Sequence, residues 1–301
     1  MTNASGEPIA DQADTLRNLK TSSRPDKMTA TPTWVISVTS GKGGVGKTAV
    51  VANLAVTMAR KGKKVLILDA DLGLANVDVV FGITPQYNLN HFFAGEQSLD
   101  KILVDGPAGI KILPAGSGVQ KFTNLDTEQK MRLMNDLDSM HDDFDIVFID
   151  TEAGISENVT YFNVAAQDIL VVTTPEPTAI TDAYALMKLL SSQYDEKRFH
   201  LIVNSVRNND EALDVFRKLT VVSGRYLDIS INFLGGIPFD RGMHESIRRQ
   251  KVMVELYPES KTSAAFEALS DSLVTGRRHN APKGSMQFFW KNLMSFNSGA
   301  S

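Results

Sequence analysis

The stretch VTSGKGGVGKT, Val38 to Thr48, constrains the fold of this chain more than any other. Gly41, Gly46, Lys47 and Thr48 fit the pattern GxxxxGK[ST], in which backbone N–H groups and a helix N-terminus cradle phosphate. Such a loop needs a buried strand before it and a helix after it. Both are predicted: the apolar run WVISVTS (Trp34 to Ser40) leads in, and KTAVVANLAVTMARKG leads out. Lys47 then reaches the β- and γ-phosphates, and the Thr48 hydroxyl turns to Mg²⁺. A glycine-rich turn with two solvated lysines is the alternative, and the flanking elements weigh against it.

The same rhythm continues along the chain. Further strand candidates are Lys64 to Asp71, Gly109 to Ala115, Phe144 to Asp150, Asp168 to Thr174, His200 to Ser205 and Phe233 to Pro238. Their near-continuous apolar runs mark strands buried on both faces. Amphipathic stretches such as TDAYALMKLLSSQY separate them. The fold class is therefore α/β: a doubly wound, mostly parallel sheet of about seven or eight strands with helices on both faces and its site at the carboxyl ends of the strands. Composition predicts a flexible N-terminal extension over 1–33, the phosphate-loop domain over 34–275 and a C-terminal tail over 276–301.

With 301 residues, 43% of them hydrophobic, the chain can bury a full core. It contains 31 basic and 35 acidic residues, so no global field recruits nucleic acid and direct DNA binding is not expected. The absence of cysteine excludes disulfides, thiolate metal sites and iron–sulfur clusters. No apolar run reaches the roughly 18 residues of a membrane-spanning helix. The expected location is the cytoplasm.

The extra lysine in GKGGVGKT, Lys42, separates subfamilies. This form resembles the deviant Walker-A ATPases of the MinD and ParA family, and the resemblance runs from about Trp34 to Thr275. It implies an ATP- and Mg²⁺-dependent homodimer with the nucleotides sandwiched between protomers. Lys42 would reach the partner's ATP, and Lys47 and Asp71 complete the catalytic set. The ATP-binding loop would comprise Gly41, Lys42, Gly43, Gly44, Val45, Gly46, Lys47, Thr48 and Ala49. Asp71 sits in a segment, LDADLGLANVD, that resembles the first switch. Thr48 would bind Mg²⁺ directly, and Asp69 and the Walker-B carboxylate Asp150 through water. By the same resemblance Glu176 contacts the ribose, Asn204 reads the adenine edge with Arg207 nearby, and Pro238 and Asp240 offer backbone to the base.

One position departs from the family pattern. In DTEAGIS, Glu152 stands where a small residue or proline is usual. An inward carboxylate there would repel phosphate, so Glu152→Gly is expected to raise dimerisation or hydrolysis. A carboxylate that points away would be a bystander.

The tails select among the family's outputs. Around ADQADTLR (Ala10 to Arg17), the spacing of Ile9, Ala13 and Leu16 predicts one face of a short helix. The DQAxxLR element resembles that of flagellar-number regulators related to MinD, which implies that Asp11, Gln12, Ala13, Leu16 and Arg17 contact a signal-recognition-type flagellar GTPase. The same resemblance implies a flagellar master transcription activator and flagellar switch-complex proteins as further partners. Asp182 matches a region where relatives bind regulators. Hydrolysis is expected to be slow until a partner completes the site. Near the C-terminus, Met286, Phe289, Trp290, Leu293 and Phe296 line one helical face. Such a helix is expected to attach reversibly to a membrane, through two copies in the dimer; the alternatives are that it packs back over the dimer face or is a frayed tail. Two other readings stay open: a ParA-like cargo-positioning ATPase riding on DNA, and a non-hydrolysing dimeric binding module held together by ATP.

Overall fold

The computed structural model describes residues 33–71, 76–115, 127–140 and 143–278. Within them lie β1 (Trp34–Ser40), β2 (Val65–Ala70), β3 (Val104–Asp105), β4 (Lys111–Leu113), β5 (Ile146–Ala153), β6 (Asp168–Thr173), β7 (Arg198–Val206) and β8 (Ser230–Pro238). The helices of eight residues or more are α1 (Lys47–Arg60), α2 (Thr127–Ser139), α3 (Glu157–Ala165), α4 (Pro177–Tyr194), α5 (Asn209–Tyr226), α6 (Arg241–Arg248) and α7 (Lys261–Arg278). The N-terminal DQAxxLR element and the C-terminal segment from Met286 to Phe296 lie outside the described residues.

All eight strands form one sheet, in the order β3-β4-β2-β5-β1-β6-β7-β8. Every pairing is parallel except β3 with β4. The seven strands expected from apolar runs are present. The eighth, β3, is an antiparallel edge ribbon of 2 residues, too short to leave a periodic signal. β5 also runs beyond Asp150, because Ala153 pairs with Ser40.

Alternation of side chains explains the two covered faces. Ile36, Val38, Leu170 and Val172 point into a core shared with Val50, Val51 and Leu54 of α1 and Phe266, Leu269 and Leu273 of α7. Ile169 and Val171 point the other way, against Ala183, Leu186 and Met187 of α4 and Val215 and Leu219 of α5. Each large side chain so buried stabilises the fold by about 1.5–3 kcal/mol. β1 therefore sits buried along its whole length between β5 and β6. The chain leaves β1 for β2 on one side and later passes to β6 on the other. The loop after β1 thus occupies the topological switch point, where open α/β sheets place their ligands.

Candidate nucleotide site

The loop between β1 and α1 is held open by its glycines. Gly44 and Gly46 have φ of 79° and 85°, in the left-handed region that residues with a Cβ rarely adopt. Gly41 is required for another reason. A Cβ there would lie 2.2 Å from the carbonyl of Asp182, so the first turns of α4 lean directly on the loop. Beneath it, Asn163 of α3 accepts from the Ser37 hydroxyl at 2.8 Å and donates to Thr39 Oγ1 at 3.2 Å. These buried bonds tie α3 to β1. No spacing in the sequence announced them.

Lys47 begins α1 and is buried, with its Nζ 2.6 Å from Asp150 Oδ1. Asp150 Oδ2 is also buried and has no hydrogen-bond partner among the described residues. Register puts Asp69 of β2 directly beside Asp150. Burial, reinforced by the Asp150 charge, pushes the Asp69 carboxyl up to about 7. Its oxygens accept from the backbone N–H groups of Asp71, Asn76 and Val77 at 3.1, 3.2 and 3.3 Å. Asp69 thereby holds the backbone at Asp71, Asn76 and Val77, within the segment that resembles the first switch.

This donor set suits a nucleoside triphosphate with Mg²⁺. α1 has no acidic residue in its first turn, so its N-terminus presents uncompensated positive potential to phosphate. Asp150 Oδ2 is the kind of buried, unpaired acceptor that a metal-bound water satisfies. By the resemblance above, Thr48 would hold a Mg²⁺ carried in by phosphates, and Asp69 and Asp150 would reach it through water.

Lys42 does not point into its own loop. Its Nζ donates to Glu176 Oε2 at 2.7 Å and to Thr178 Oγ1 at 2.9 Å. Both acceptors stand at the N-terminus of α4, so the extra lysine and the proposed ribose-contacting acid are paired within one protomer. Reaching a second protomer requires this pair to part. Thr178 had no motif to reveal it.

The base-side residues divide by what holds them. Asn204 donates from Nδ2 to the Val45 carbonyl at 2.8 Å. The Arg207 guanidinium is engaged by Glu211 at 2.9 and 2.6 Å, and Arg207 is largely exposed. Asp240 caps α6 through Gly242 N–H at 2.8 Å and accepts from Thr262 at 2.9 Å. Its carboxylate is thus structural. Pro238 closes β8 opposite Val206.

Glu152, at the end of β5, accepts a hydrogen bond from the Ser156 hydroxyl. Ser156 is the N-cap of α3 and also accepts from Val159 N–H at 3.3 Å. The carboxylate is therefore drawn to a helix N-terminus, where negative charge is stabilised.

A mostly parallel sheet with this loop at its switch point, and a buried loop lysine paired with a carboxylate on the neighbouring strand, is the arrangement of a P-loop nucleotide-binding protein. An AAA-domain family model matches residues 33–203. The antiactivator FleN of Pseudomonas aeruginosa is 41% identical over 87% of this chain and 94% of its own length. The flagellum site-determining protein YlxH of Helicobacter pylori is 32% identical over 88% of this chain and 90% of its own. Among solved structures, the cell division ATPase MinD of Pyrococcus furiosus superposes with a TM-score of 0.66 at 26% identity, covering 80% of this chain and 98% of that one. MinD of Pyrococcus horikoshii in complex with Mg-ADP gives 0.65 at 27%, covering 83% and 100%. The chain belongs to the MinD/ParA-type ATPases, and within them to the branch that contains FleN and YlxH. Nucleotide, Mg²⁺ and ATP hydrolysis are the general chemistry of that class.

Proposed function

We propose that this protein is an ATP-dependent dimerising switch that limits the number and placement of flagella. The observation that carries the reading is the extent of the match to FleN, which spans 87% of this chain and 94% of that antiactivator. The site chemistry supports it. Lys42 is available to a second protomer once it leaves Glu176 and Thr178, so ATP would hold two copies together and hydrolysis would part them. Hydrolysis is slow until a partner completes the site. The N-terminal extension, through Asp11, Gln12, Ala13, Leu16 and Arg17, engages a signal-recognition-type flagellar GTPase. The ATP-bound dimer restrains a flagellar master transcription activator, with Asp182 at one regulatory contact. The switch acts in the cytoplasm near the pole, and the C-terminal segment around Phe289 and Trp290 supplies a reversible membrane contact.

The experiment is a count of flagella per cell by electron microscopy, in the source bacterium lacking this gene and with Asp71→Ala in its place. Extra polar flagella in the deletion are expected. The Asp71→Ala strain then separates control by turnover from control by the ATP-held dimer. An unchanged count in the deletion overturns the reading.

A further inference from the structure

The shape of the phosphate loop depends on a strand two places away in the sheet. The pairing of β7 with β8 slips between Val203 and Val206, and within that slip Ser205 has φ of 58°, a left-handed backbone that residues with a Cβ seldom adopt. The slip orients Asn204. Ser205 N–H donates to Asn204 Oδ1 at 2.9 Å, which leaves the Nδ2 end of the amide to donate to the Val45 carbonyl at 2.8 Å.

That carbonyl belongs to the peptide joining Val45 to Gly46. A peptide unit is planar and trans, so its C=O and N–H point to opposite sides. Holding the Val45 oxygen on the Asn204 side turns the Gly46 N–H the other way. Space is closed as well: a Cβ on Gly46 would lie 2.4 Å from Asn204 Nδ2. The amide occupies the volume that a side chain at 46 would need, and it clamps the last peptide before α1.

We propose that Asn204 is a positioning residue for the phosphate loop, so that it governs affinity for phosphate groups even when no base is present. The inference deepens the nucleotide site and does not depend on the flagellar reading; either can fail without the other. Base recognition and phosphate binding are then linked through one side chain.

The test uses inorganic tripolyphosphate with Mg²⁺, which has no base, as a competitor against fluorescent ATP on the full chain. Asn204→Leu keeps nearly the same size without adding charge but cannot donate to the Val45 carbonyl. It is expected to weaken tripolyphosphate binding by about 10-fold, with circular dichroism of the ligand-free protein unchanged. Asn204→Ser, which is too short to reach Val45, is expected to act in the same direction and carries the comparison if the leucine variant does not fold. A purely base-reading role predicts weaker ATP binding with tripolyphosphate binding unchanged, and that result overturns the proposal. A loss of affinity that merely follows a lowered melting temperature overturns it too.

Discussion

Asp150→Ala removes the carboxylate that pairs with the buried Lys47 ammonium. Side-chain exposure is 7% for Lys47 and 1% for Asp150, so water can do little to compensate. Breaking one side of a buried pair costs about 3–5 kcal/mol, whereas replacing both partners with apolar side chains of similar size is close to neutral. For a domain of this size each kcal/mol moves the melting temperature by roughly 2–4 °C, giving a drop of roughly 6–20 °C. The measurement is urea unfolding of the nucleotide-free protein, for wild type, Asp150→Ala and the double variant Lys47→Met with Asp150→Leu. The double variant should be more stable than Asp150→Ala. A second consequence follows from the same geometry. Phosphate and Asp150 compete for one ammonium group, so in EDTA, where Asp150 has no metal-bound water to hold, Asp150→Ala should bind ATP more tightly than wild type. An Asp150→Ala protein within about 1 kcal/mol of wild type, together with unchanged Mg-free ATP affinity, would refute the claim that this pair restrains Lys47.

Three further outcomes are expected. Lys42→Ala should leave stability within about 1 kcal/mol, since its ion pair lies at the surface, yet abolish the ATP-dependent dimer in light scattering; a dimer of normal strength would remove Lys42 from the interface. Glu152→Gly should raise ATP-dependent dimerisation or phosphate release, whereas unchanged values would show that Ser156 keeps the carboxylate out of the chemistry. For Asp168, burial alone would raise the carboxyl, but hydrogen bonds from His200 and Trp34 outweigh it and hold the group below its ordinary 3.8. A depressed carboxyl contributes stability that is complete above 3.8 and fades as the pH falls through the lowered value. Urea unfolding at a series of acidic pH values should therefore show a loss in wild type that is smaller in Asp168→Asn.

Much of the site was legible because its parts are consecutive in the chain. The loop from Gly41 to Ala49 and the apolar run leading to Asp150 are local signals, and hydrophobic runs marked each long strand. What could not be read depends on register and reach. The adjacency of Asp69 and Asp150 exists only because β2 and β5 pair in one register. Thr178 matters because helix α4 begins within reach of Lys42, and Asn163 because α3 lies under β1. Asn204 was read as an adenine contact by resemblance, and its bond to Val45 is a property of the slip at Ser205. β3 escaped notice because two residues carry no period.

The contact between Gly41 and Asp182 has a consequence for signalling. A helix resting on bare backbone has no side chain between it and the loop to absorb movement. A change in the loop as it closes on phosphate would therefore press on α4 at Asp182, next to the exposed Thr181, and a methyl group at residue 41 would meet the Asp182 carbonyl and force helix and loop apart.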